Sequence, residues 1–403
     1  MQTFDLSGRR IGIPLSGGLS SLAVAAKLAA DGHDVVGFAA YLGQCSRPDF
    51  GRFVDGVRAA GITVEVSDLT PAMASAALDV IAFGARYDGG YWNTTSMSRE
   101  VIVAGLAEDL RRAHCEVLAH GCVGGGNDQR RFERNGARYL PELPVYAAWS
   151  VGDLQASMPD RAAMAKYLAE RGLTVMAGNT VEHSIDGNLA GFSHEDTELE
   201  DLRNSPRSLQ RRLGVPPEAA PDQVTTVLIE IERGRPVALN GSRLPAADLL
   251  AEANRIGGEC GLGLFDVLEN RVNGTKCRGV YEAPGMQLLS AAVETAYETV
   301  TDRAADELRR TLSRVLAVAV YEATTASVAA RAAQAGLEEI AGYANAAIEL
   351  EIYKGSVLGR AIRNFDASAG IVQQRRLAGN GHNWASAPLT LAAHNAANNG
   401  NGS

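Results

Sequence analysis

The sequence has few cysteines and no long apolar segment. Its five cysteines are an odd number in 403 residues and include no Cys-x-x-Cys pair, so neither a disulfide scaffold nor a zinc site is predicted. No stretch approaches the roughly 18 consecutive apolar residues of a membrane-spanning helix, and the first ten residues lack the apolar core of a signal peptide. We therefore expect a cytoplasmic protein with reduced thiols and no membrane partner.

Positive charge is also scarce. Lysine and arginine number 38 against 47 acidic residues, a net charge of −9, which argues against a nucleic-acid partner. The seven histidines include no His-x-x-x-His pair, so no metal site is predicted. What the chain does have is length and 46% hydrophobic residues, enough for two or three domains with substantial cores. This balance is typical of an enzyme that acts on small molecules.

The stretch Ile-Gly-Ile-Pro-Leu-Ser-Gly-Gly-Leu-Ser-Ser near the N-terminus carries the first functional signal. It predicts a buried strand over Arg10 to Leu15, a loop over Ser16 to Ser20 and a helix over Ser21 to Ala30. Glycines let backbone approach phosphate oxygens closely, and a helix N-terminus favours anions. The stretch is therefore a candidate phosphate site, although a Ser-Gly-Gly turn between strand and helix is often only a turn.

Strands then alternate with helices up to residue 172. This alternation predicts an α/β fold with a doubly wound parallel sheet, whose ligands lie beyond the carboxyl ends of the strands. Three polar or glycine-rich stretches follow predicted strands: Ser16 to Ser20, Tyr41 to Gln44, and Gly121 to Asp128. Further strands are predicted at Asp34 to Ala40, Thr63 to Val66, Val117 to Ala119 and Pro144 to Ala148, and helices at Asp49 to Ala60, Pro71 to Arg86, Ser98 to Arg112 and Pro159 to Arg171.

Residues 173–365 are predicted to form a second, α+β domain. Val181 to Leu202 and Glu269 to Gly285 are polar and are predicted to be loops. Met286 to Gln334 is alanine-rich and predicts helical packing within the core or between subunits. The other predicted elements are a hairpin over Thr225 to Leu239, a helix over Pro245 to Ile256 and a strand over Ile348 to Val357. Residues 366–403 form a separate C-terminal segment, and its end, Ala392 to Ser403, is predicted to be disordered.

Four stretches together resemble the argininosuccinate synthase family of ATP pyrophosphatases. The first is Ser-Gly-Gly-Leu-Ser-Ser at 16–21, and the second is Ala-Tyr-Leu-Gly-Gln at 40–44. The third, Gly-Asn-Asp-Gln-Arg-Arg-Phe-Glu at 126–133, and the fourth, which ends in Arg-Gly-Val-Tyr-Glu at 278–282, are far more specific. The resemblance covers roughly residues 9 to 360. It implies an ATP-pyrophosphatase-type nucleotide domain followed by a synthetase and oligomerisation domain.

The family's chemistry is an AMP-forming carbon–nitrogen ligation. The ureido oxygen of citrulline attacks the α-phosphorus of ATP and releases pyrophosphate, and the amine of aspartate then displaces AMP. Catalysis of this kind needs alignment and charge stabilisation and no protein nucleophile. The resemblance thus implies ATP and Mg²⁺ as cofactors, citrulline or an analogue and aspartate or another amine as substrates, a role in arginine biosynthesis, and a homo-oligomer, tetrameric in the family.

The resemblance also assigns site residues. Those expected to bind ATP are Ser16, Gly17, Gly18, Ser20, Ser21, Ala40 and Gly121. Those expected to bind citrulline are Tyr91, Ser96, Asn127, Arg131, Ser184, Ser193, Glu269 and Tyr281. Those expected to bind aspartate or another amine are Cys122, Val123, Asn127 and Asp128, and the catalytic residues are Asp128, Arg131 and Ser184. Arg131 suits a carboxylate and Glu269 an ammonium, although singly each could be a surface charge and each serine a helix cap.

The sequence departs from the family at the nucleotide and amine positions. Ser20 replaces the loop aspartate, Val123 a threonine and Gly125 a lysine; Leu15 and Tyr41 also differ from the usual residues. A serine can cap a helix but is a poorer Mg²⁺ ligand than a carboxylate. Three functions therefore stay open: ordinary argininosuccinate synthesis, a specialised ligase with another amine or ureido substrate, and a non-catalytic amino-acid-binding protein.

Overall fold

The computed structural model describes residues 5–151, 154–176, 183–365, 373–378 and 383–388. Within these residues, the N-terminal part is built around a parallel sheet of five strands, in the spatial order β3-β2-β1-β4-β5. The strands are β1 (Arg10–Leu15), β2 (Asp34–Tyr41), β3 (Thr63–Asp68), β4 (Val117–His120) and β5 (Val145–Ala147). The order reverses between β1 and β4, which is where a doubly wound sheet opens its binding crevice.

Helices cover both faces of this sheet. They are α1 (Leu19–Ala30), α2 (Arg47–Ala59), α3 (Thr70–Ala82), α4 (Thr94–Arg112), α5 (Asn127–Tyr139), α6 (Ala148–Val151), α7 (Leu154–Ser157) and α8 (Arg161–Ala169). Alternate residues of β2 belong to different cores: Val36 and Phe38 pack with α3 and α4, whereas Val35 and Ala39 pack with α1 and α2. Burial on both faces explains why these strands are continuous apolar runs. The predicted doubly wound α/β fold is confirmed.

Helix boundaries differ from the predictions at places that matter for the site. Helix α1 begins at Leu19, so Ser20 lies inside the first turn, and the N-cap position is Gly18. Helix α4 begins at Thr94, four residues before the predicted start, because Asn93 takes a left-handed conformation (φ 56°) and its amide bonds the carbonyls of Ala85 and Ala317. The predicted starts of these helices, at Ser21 and at Ser98, are therefore wrong, and Ser20 does not occupy the N-cap position that a serine can take.

The two predicted loops, Val181 to Leu202 and Glu269 to Gly285, are also wrong. They contain strands of a four-stranded sheet in the order β11-β12-β7-β6. Its strands are β6 (His183–Asn188), β7 (Gly191–Asp196), β11 (Leu264–Asn270) and β12 (Lys276–Glu282), and the short helix α9 (Thr197–Glu200) follows β7. Antiparallel pairing of β12 with both β7 and β11 satisfies the backbone of these polar segments, so tertiary pairing overrides their weak strand propensity.

A second antiparallel sheet, in the order β10-β9-β8-β13-β14, packs against helices. Its strands are β8 (Thr225–Glu232), β9 (Arg235–Leu239), β10 (Ser242–Arg243), β13 (Ala346–Tyr353) and β14 (Ser356–Phe365). The remaining helices are α10 (Ala246–Glu259), α11 (Pro284–Val300), α12 (Arg303–Glu322) and α13 (Val328–Ala341). The helical region 286–334 is thus divided among three helices. Helix α11 contacts α3, α10 and this sheet through fully buried residues such as Leu288 and Val293, and so joins the two parts of the chain.

The C-terminal segment contributes an antiparallel pair of strands, β15 (Gln373–Ala378) and β16 (Asn383–Pro388). The predicted disordered end, Ala392 to Ser403, lies outside the described residues. Among the helices that are described, none is both long enough and apolar enough to span a bilayer.

Candidate functional site

The loop after β1 meets the N-terminus of α1 in a tightly packed turn. Gly17 has φ +80°, and a Cβ there would overlap with the Met176 side chain, so this position requires glycine. The Ser16 and Ser21 hydroxyl oxygens are 3.0 Å apart, and the Gly18 amide donates to the Ser16 hydroxyl. Gly18 caps α1 without a side-chain bond, which leaves first-turn amides available to an anion.

The loop after β4 lies directly against this turn. A Cβ on Gly121 would overlap with the Ser21 backbone, so the two loops touch at the point where the strand order reverses. Val123 and Gly125 lie further along, with the Val123 side chain 55% exposed and Gly125 at φ +79°. The two candidate phosphate and amine loops therefore share one edge of the parallel sheet, as their positions after β1 and β4 predict.

His120, the last residue of β4, holds the loop that follows this strand through a hydrogen bond to its backbone. Its Nδ1 accepts a hydrogen bond from the Cys122 amide at 3.3 Å, its ring stacks on Phe132, and it is 1% exposed. Burial lowers the pKa of His120 to about 4, so the ring is neutral at physiological pH. The neutral imidazole is the form that can accept the Cys122 amide.

Cross-strand pairing gathers polar side chains on one face of the four-stranded sheet. Ser193 of β7 is opposite Asp186 of β6 on one side and Tyr281 of β12 on the other. Directly opposed residues of an antiparallel sheet point to the same face, and so do residues two apart. The polar residues that share this face are Ser184, Asp186, Ser193, Glu195, Glu269, Cys277 and Tyr281.

A chain of ion pairs connects this sheet to α4 and α5. The Arg99 guanidinium donates to Asp128 at 2.7 Å and also to Asp186, and its side chain is 11% exposed. The other oxygen of Asp128 accepts from Arg131 at 2.8 Å. Although burial alone would raise the pKa of Asp128, the two arginines lower it to about 2, so Asp128 is a carboxylate at neutral pH.

Arg131 is 3% exposed and only partly satisfied. Its Nε donates to the Tyr321 carbonyl at 2.8 Å, and its guanidinium lies over the Tyr321 ring, 4.7 Å from the centroid. Within the described part of the chain, Arg131 Nη2 has no hydrogen-bond partner, and neither has the buried hydroxyl of Ser96 in the first turn of α4. Because buried guanidinium groups are normally paired, this donor is suited to an anionic ligand group.

Glu269 is the buried acid of the same cluster. Its two oxygens accept from Tyr321 at 2.7 Å and from Tyr281 at 2.9 Å. Burial raises the pKa of Glu269, and the two tyrosine hydroxyls oppose that rise. A Cβ on Gly279 would overlap with the Tyr281 ring, so this glycine lets Tyr281 lie across the strand and reach the carboxylate.

Stacked tyrosine rings surround the charged groups. Tyr91 stacks on Tyr281 with centroids 4.0 Å apart, and its hydroxyl accepts from the Thr95 amide at 2.9 Å. Tyr87 stacks on Tyr321 at 3.7 Å and donates to the carbonyl of Asn270. The rings exclude water from one side of Glu269 and Arg131, which strengthens electrostatic interactions there.

The structure brings most predicted citrulline residues together. Tyr91, Asn127, Arg131, Glu269 and Tyr281 form one connected cluster, to which Ser193 is joined through the Thr95 hydroxyl at 3.2 Å. The hydroxyl of Ser96 is buried in the first turn of α4.

Ser184, Val123 and Glu282 are placed differently from this cluster. Ser184 is half-buried on the same sheet face and its hydroxyl makes no hydrogen bond to another described residue, and Val123 is largely exposed. Glu282 of the Arg-Gly-Val-Tyr-Glu motif accepts from the Arg212 and Leu213 amides and so has a structural role.

Sequence reasoning missed Tyr321, Arg99 and Asp186. Tyr321 is the second-last residue of helix α12, in a region whose apolar pattern indicates only packing. Arg99 carries no distinguishing signal, because it is one of several charged residues of α4 and is followed by Glu100, and Asp186 lies in a segment predicted to be a loop. None of the described histidines, cysteines and acids assemble into a group of three that could hold a metal ion.

Two family models match the chain. Residues 10–173 match the "Arginosuccinate synthase N-terminal HUP domain", and residues 183–367 match the "Arginosuccinate synthase C-terminal domain". A chloroplastic argininosuccinate synthase of Arabidopsis thaliana is 35% identical over 351 residues, which cover 87% of this chain and 70% of the relative. The argininosuccinate synthase of Shewanella loihica is 33% identical, covering 87% and 86%. That of Agathobacter rectalis is 36% identical over 276 residues, covering 68% and 67%.

Proposed function

Because the chain belongs to the argininosuccinate synthase family, we propose that it is an AMP-forming carbon–nitrogen ligase acting on citrulline or a close analogue. The ureido oxygen attacks the α-phosphorus of ATP, the bond to the bridging oxygen breaks, and pyrophosphate leaves. The amine of aspartate then attacks the ureido carbon, loses a proton, and AMP departs with the former ureido oxygen. The product supplies arginine biosynthesis.

One observation carries this proposal. A buried cation with an unpaired donor, Arg131, and a buried carboxylate, Glu269, both contact the same tyrosine, Tyr321. Oε2 of Glu269 accepts only from Tyr281 among the described residues and can accept another hydrogen bond, whereas Oε1 already accepts from Tyr321 and, at 3.9 Å, from the Cys277 thiol. An amino acid carries the complementary pair of groups, with its α-carboxylate on Arg131 Nη2 and its α-ammonium on Glu269.

The remaining citrulline contacts follow from the positions around this pair. Hydroxyl and amide groups can hold the neutral ureido group by hydrogen bonds, and the tyrosine rings flank the aliphatic chain. We assign these contacts to Tyr91, Ser96, Asn127, Ser184, Ser193 and Tyr281.

ATP fits the edge formed by the first two loops. The uncapped first-turn amides of α1 suit its phosphates, and the close approach of Gly121 to Ser21 leaves backbone as the contacting surface. The proposed ATP contacts are Ser16, Gly17, Gly18, Ser20, Ser21, Ala40 and Gly121. Since this edge offers hydroxyls and no cluster of acids within the described residues, Mg²⁺ would be held by phosphate oxygens and water, with a serine hydroxyl as the protein donor. The ion would offset phosphate charge.

Positioning and fixed charge would supply the catalysis. Arg131 holds the substrate carboxylate, Asp128 stays ionised and can receive the ammonium of the incoming amino acid, and Ser184 can hydrogen-bond the ureido end. Cys122, Val123 and Asn127 border the same amine position. The preformed ion pairs of Asp128 mean that little reorganisation is needed when the substrates bind.

Pyrophosphate release tests the proposal. We expect release that needs ATP and citrulline together, and formation of argininosuccinate when aspartate is added. Arg131→Met should lower kcat/KM for citrulline at least about 100-fold. The variant removes the charged contact to the α-carboxylate of citrulline and leaves that buried carboxylate against an apolar side chain. Citrulline binding by calorimetry without any ATP turnover would refute the ligase and favour the amino-acid-binding protein.

A second candidate, a ligase for another amine, is favoured by Val123. Its apolar side chain is 55% exposed at the edge where the family places a threonine hydroxyl against aspartate. The test is citrulline-dependent pyrophosphate release with a panel of amines in place of aspartate. We expect Val123→Thr to lower the KM for aspartate about tenfold or more, because a hydrogen bond to a charged group is worth about 1.5–3 kcal/mol. An unchanged KM would remove Val123 as a determinant of amine choice.

We also propose a cytoplasmic homo-oligomer, tetrameric as implied by the resemblance. Helix α12 exposes Leu308, Val315 and Val318, which are spaced along one side of the helix and are 53%, 38% and 43% exposed. All five cysteines are free thiols, which fits a reducing compartment. Light scattering of the purified chain measures the oligomeric state, and a monomer would refute this part.

A further inference from the structure

Tyr321 connects three of the predicted substrate residues of the candidate site, namely Glu269, Asn127 and Arg131. Its hydroxyl donates to Glu269 at 2.7 Å and accepts from the Asn127 amide at 2.8 Å. Its backbone carbonyl accepts from Arg131 Nε, and its ring lies under the Arg131 guanidinium and against Tyr87. Tyr321 is 1% exposed and lies in the last turn of α12, which is distant in sequence from α5 and β11.

We propose that Tyr321 is a positioning residue for the proposed ligase, which sets the places of the acid and the amide that receive the amino-acid substrate. The proposal rests on the proposed function, since Glu269 and Asn127 are its assigned substrate contacts. Tyr321 acts through them, and its hydroxyl is fully used by one donated and one accepted bond.

Different parts of Tyr321 contact different groups of the site. The ring and the backbone carbonyl hold Arg131, whereas only the hydroxyl holds Glu269 and Asn127. Tyr321→Phe therefore keeps the ring stacking, the cation–π contact and the carbonyl bond while it removes both hydroxyl bonds. Glu269 would keep its bond from Tyr281 but could rotate about it.

Several charged and titratable groups face Glu269. They come from α5, from β12, from the turn before α4 and from α12, and they are Arg131, Tyr281, Cys277, Asp88 and Tyr321. Arg131 and the two tyrosines favour the carboxylate, and Asp88 opposes it. Losing the Tyr321 hydroxyl leaves the other groups unchanged, so the pKa of Glu269 rises further and its carboxylate is lost at a higher pH.

The experiment compares Tyr321→Phe with Tyr87→Phe in the full chain. Tyr87 is a matched control because it stacks on the same ring but donates only to the Asn270 carbonyl. We expect Tyr321→Phe to raise the KM and the calorimetric Kd for citrulline about tenfold with kcat changed less than about twofold, and to move the acid limb of kcat/KM to higher pH. Tyr87→Phe should leave the Kd and the acid limb in place.

A double-mutant cycle with Glu269→Gln gives the second measurement. If Tyr321 acts through Glu269, the effect of Tyr321→Phe on the Kd is largely lost in the Glu269→Gln background. A full effect in that background, or a Kd and pH profile for Tyr321→Phe equal to those of wild type, would overturn the proposal. Calorimetric stoichiometry counts folded sites, so partial unfolding lowers the number of sites and leaves the Kd readable. Wild-type protein that binds no citrulline would instead overturn the proposed function.

Discussion

His120 is predicted to make folding stability depend on pH between 6.5 and 4. An unfolded chain binds a proton on this histidine near pH 6.5, whereas the folded protein resists protonation until about pH 4, because the ring is buried and its Nδ1 accepts the Cys122 amide. Stability is therefore fully present above pH 6.5 and is lost as the pH falls. The difference between the two pKa values corresponds to about 3 kcal/mol, of which about 2.5 kcal/mol is lost by pH 4.5.

The assay is urea unfolding followed by tryptophan fluorescence, since Trp92 and Trp149 are both buried. With an m-value of about 3 kcal/mol/M, the loss from His120 moves the urea midpoint by about 0.8 M between pH 7.5 and 4.5. His120→Gln keeps an acceptor for the Cys122 amide and does not titrate. We expect this variant to be less stable than wild type at pH 7.5 and to lose about 0.8 M less of its midpoint on acidification.

His114 provides the control. It is exposed, with a left-handed backbone (φ 54°) that asparagine tolerates, so His114→Asn should parallel wild type at every pH. If His120→Gln lost as much stability between pH 7.5 and 4.5 as wild type, the neutral, buried imidazole could not be the source of the pH dependence, and the reasoning from burial would be refuted.

Three further predictions concern the site. Gly279→Ala should raise the KM for citrulline at least about tenfold, because its Cβ displaces the Tyr281 hydroxyl from its acceptor. Arg99→Met should lower the free energy of unfolding by about 3 kcal/mol in urea titrations at pH 7.5, since Asp186 would lose its buried cation. Ser20→Asp should increase the rate of pyrophosphate release at limiting Mg²⁺ several-fold, because a first-turn carboxylate adds a ligand for the ion.

A control variant and the contrary outcomes distinguish these effects from a general loss of folding stability. Gly51→Ala lies in α2 with open space around the added Cβ and should leave the KM unchanged. An Arg99→Met variant as stable as wild type would mean that the ion pairs of Arg99 with Asp128 and Asp186 contribute nothing net to folding. Abolished activity in Ser20→Asp would mean that the loop has adapted around serine, because the added carboxylate would then repel the phosphates.

The parallel sheet could be predicted because its signals are local. The first two strands are apolar runs buried on both faces, and glycine turns such as Gly17 stand where the backbone needs left-handed φ. The carboxyl ends of parallel strands lie at one edge whatever the sequence between them. The sequence therefore predicts that the loops after β1 and β4 lie side by side, and in the structure Gly121 contacts the Ser21 backbone.

The four-stranded sheet could not be predicted because the face that carries the candidate site is polar. Its inner face carries Ser184, Asp186 and Ser193, so the hydrophobic alternation that reveals a half-buried strand is absent. The strands form because β12 pairs with both neighbours, a contact across about 90 residues of chain that no local pattern reports. Tyr321 was missed for a related reason, because a tyrosine in an apolar helix has the sequence pattern of core packing.

Substitutions at positions that depart from the family and substitutions at retained positions differ in how much folding stability they cost. Val123 is largely exposed, so substitutions there scarcely affect folding, since surface changes are usually within about 0.5 kcal/mol. Arg131 is buried and ion-paired, and its loss would cost several kcal/mol. A residue retained at a buried, paired position can thus reflect stability alone. Changes at exposed loop positions are free of that constraint. Since Gly125 has left-handed φ, a lysine there would add about 1 kcal/mol of strain, although no neighbouring atom lies within 4 Å of the added Cβ. Under the proposed function, Val123 is therefore the position where a change of amine preference would cost the fold least.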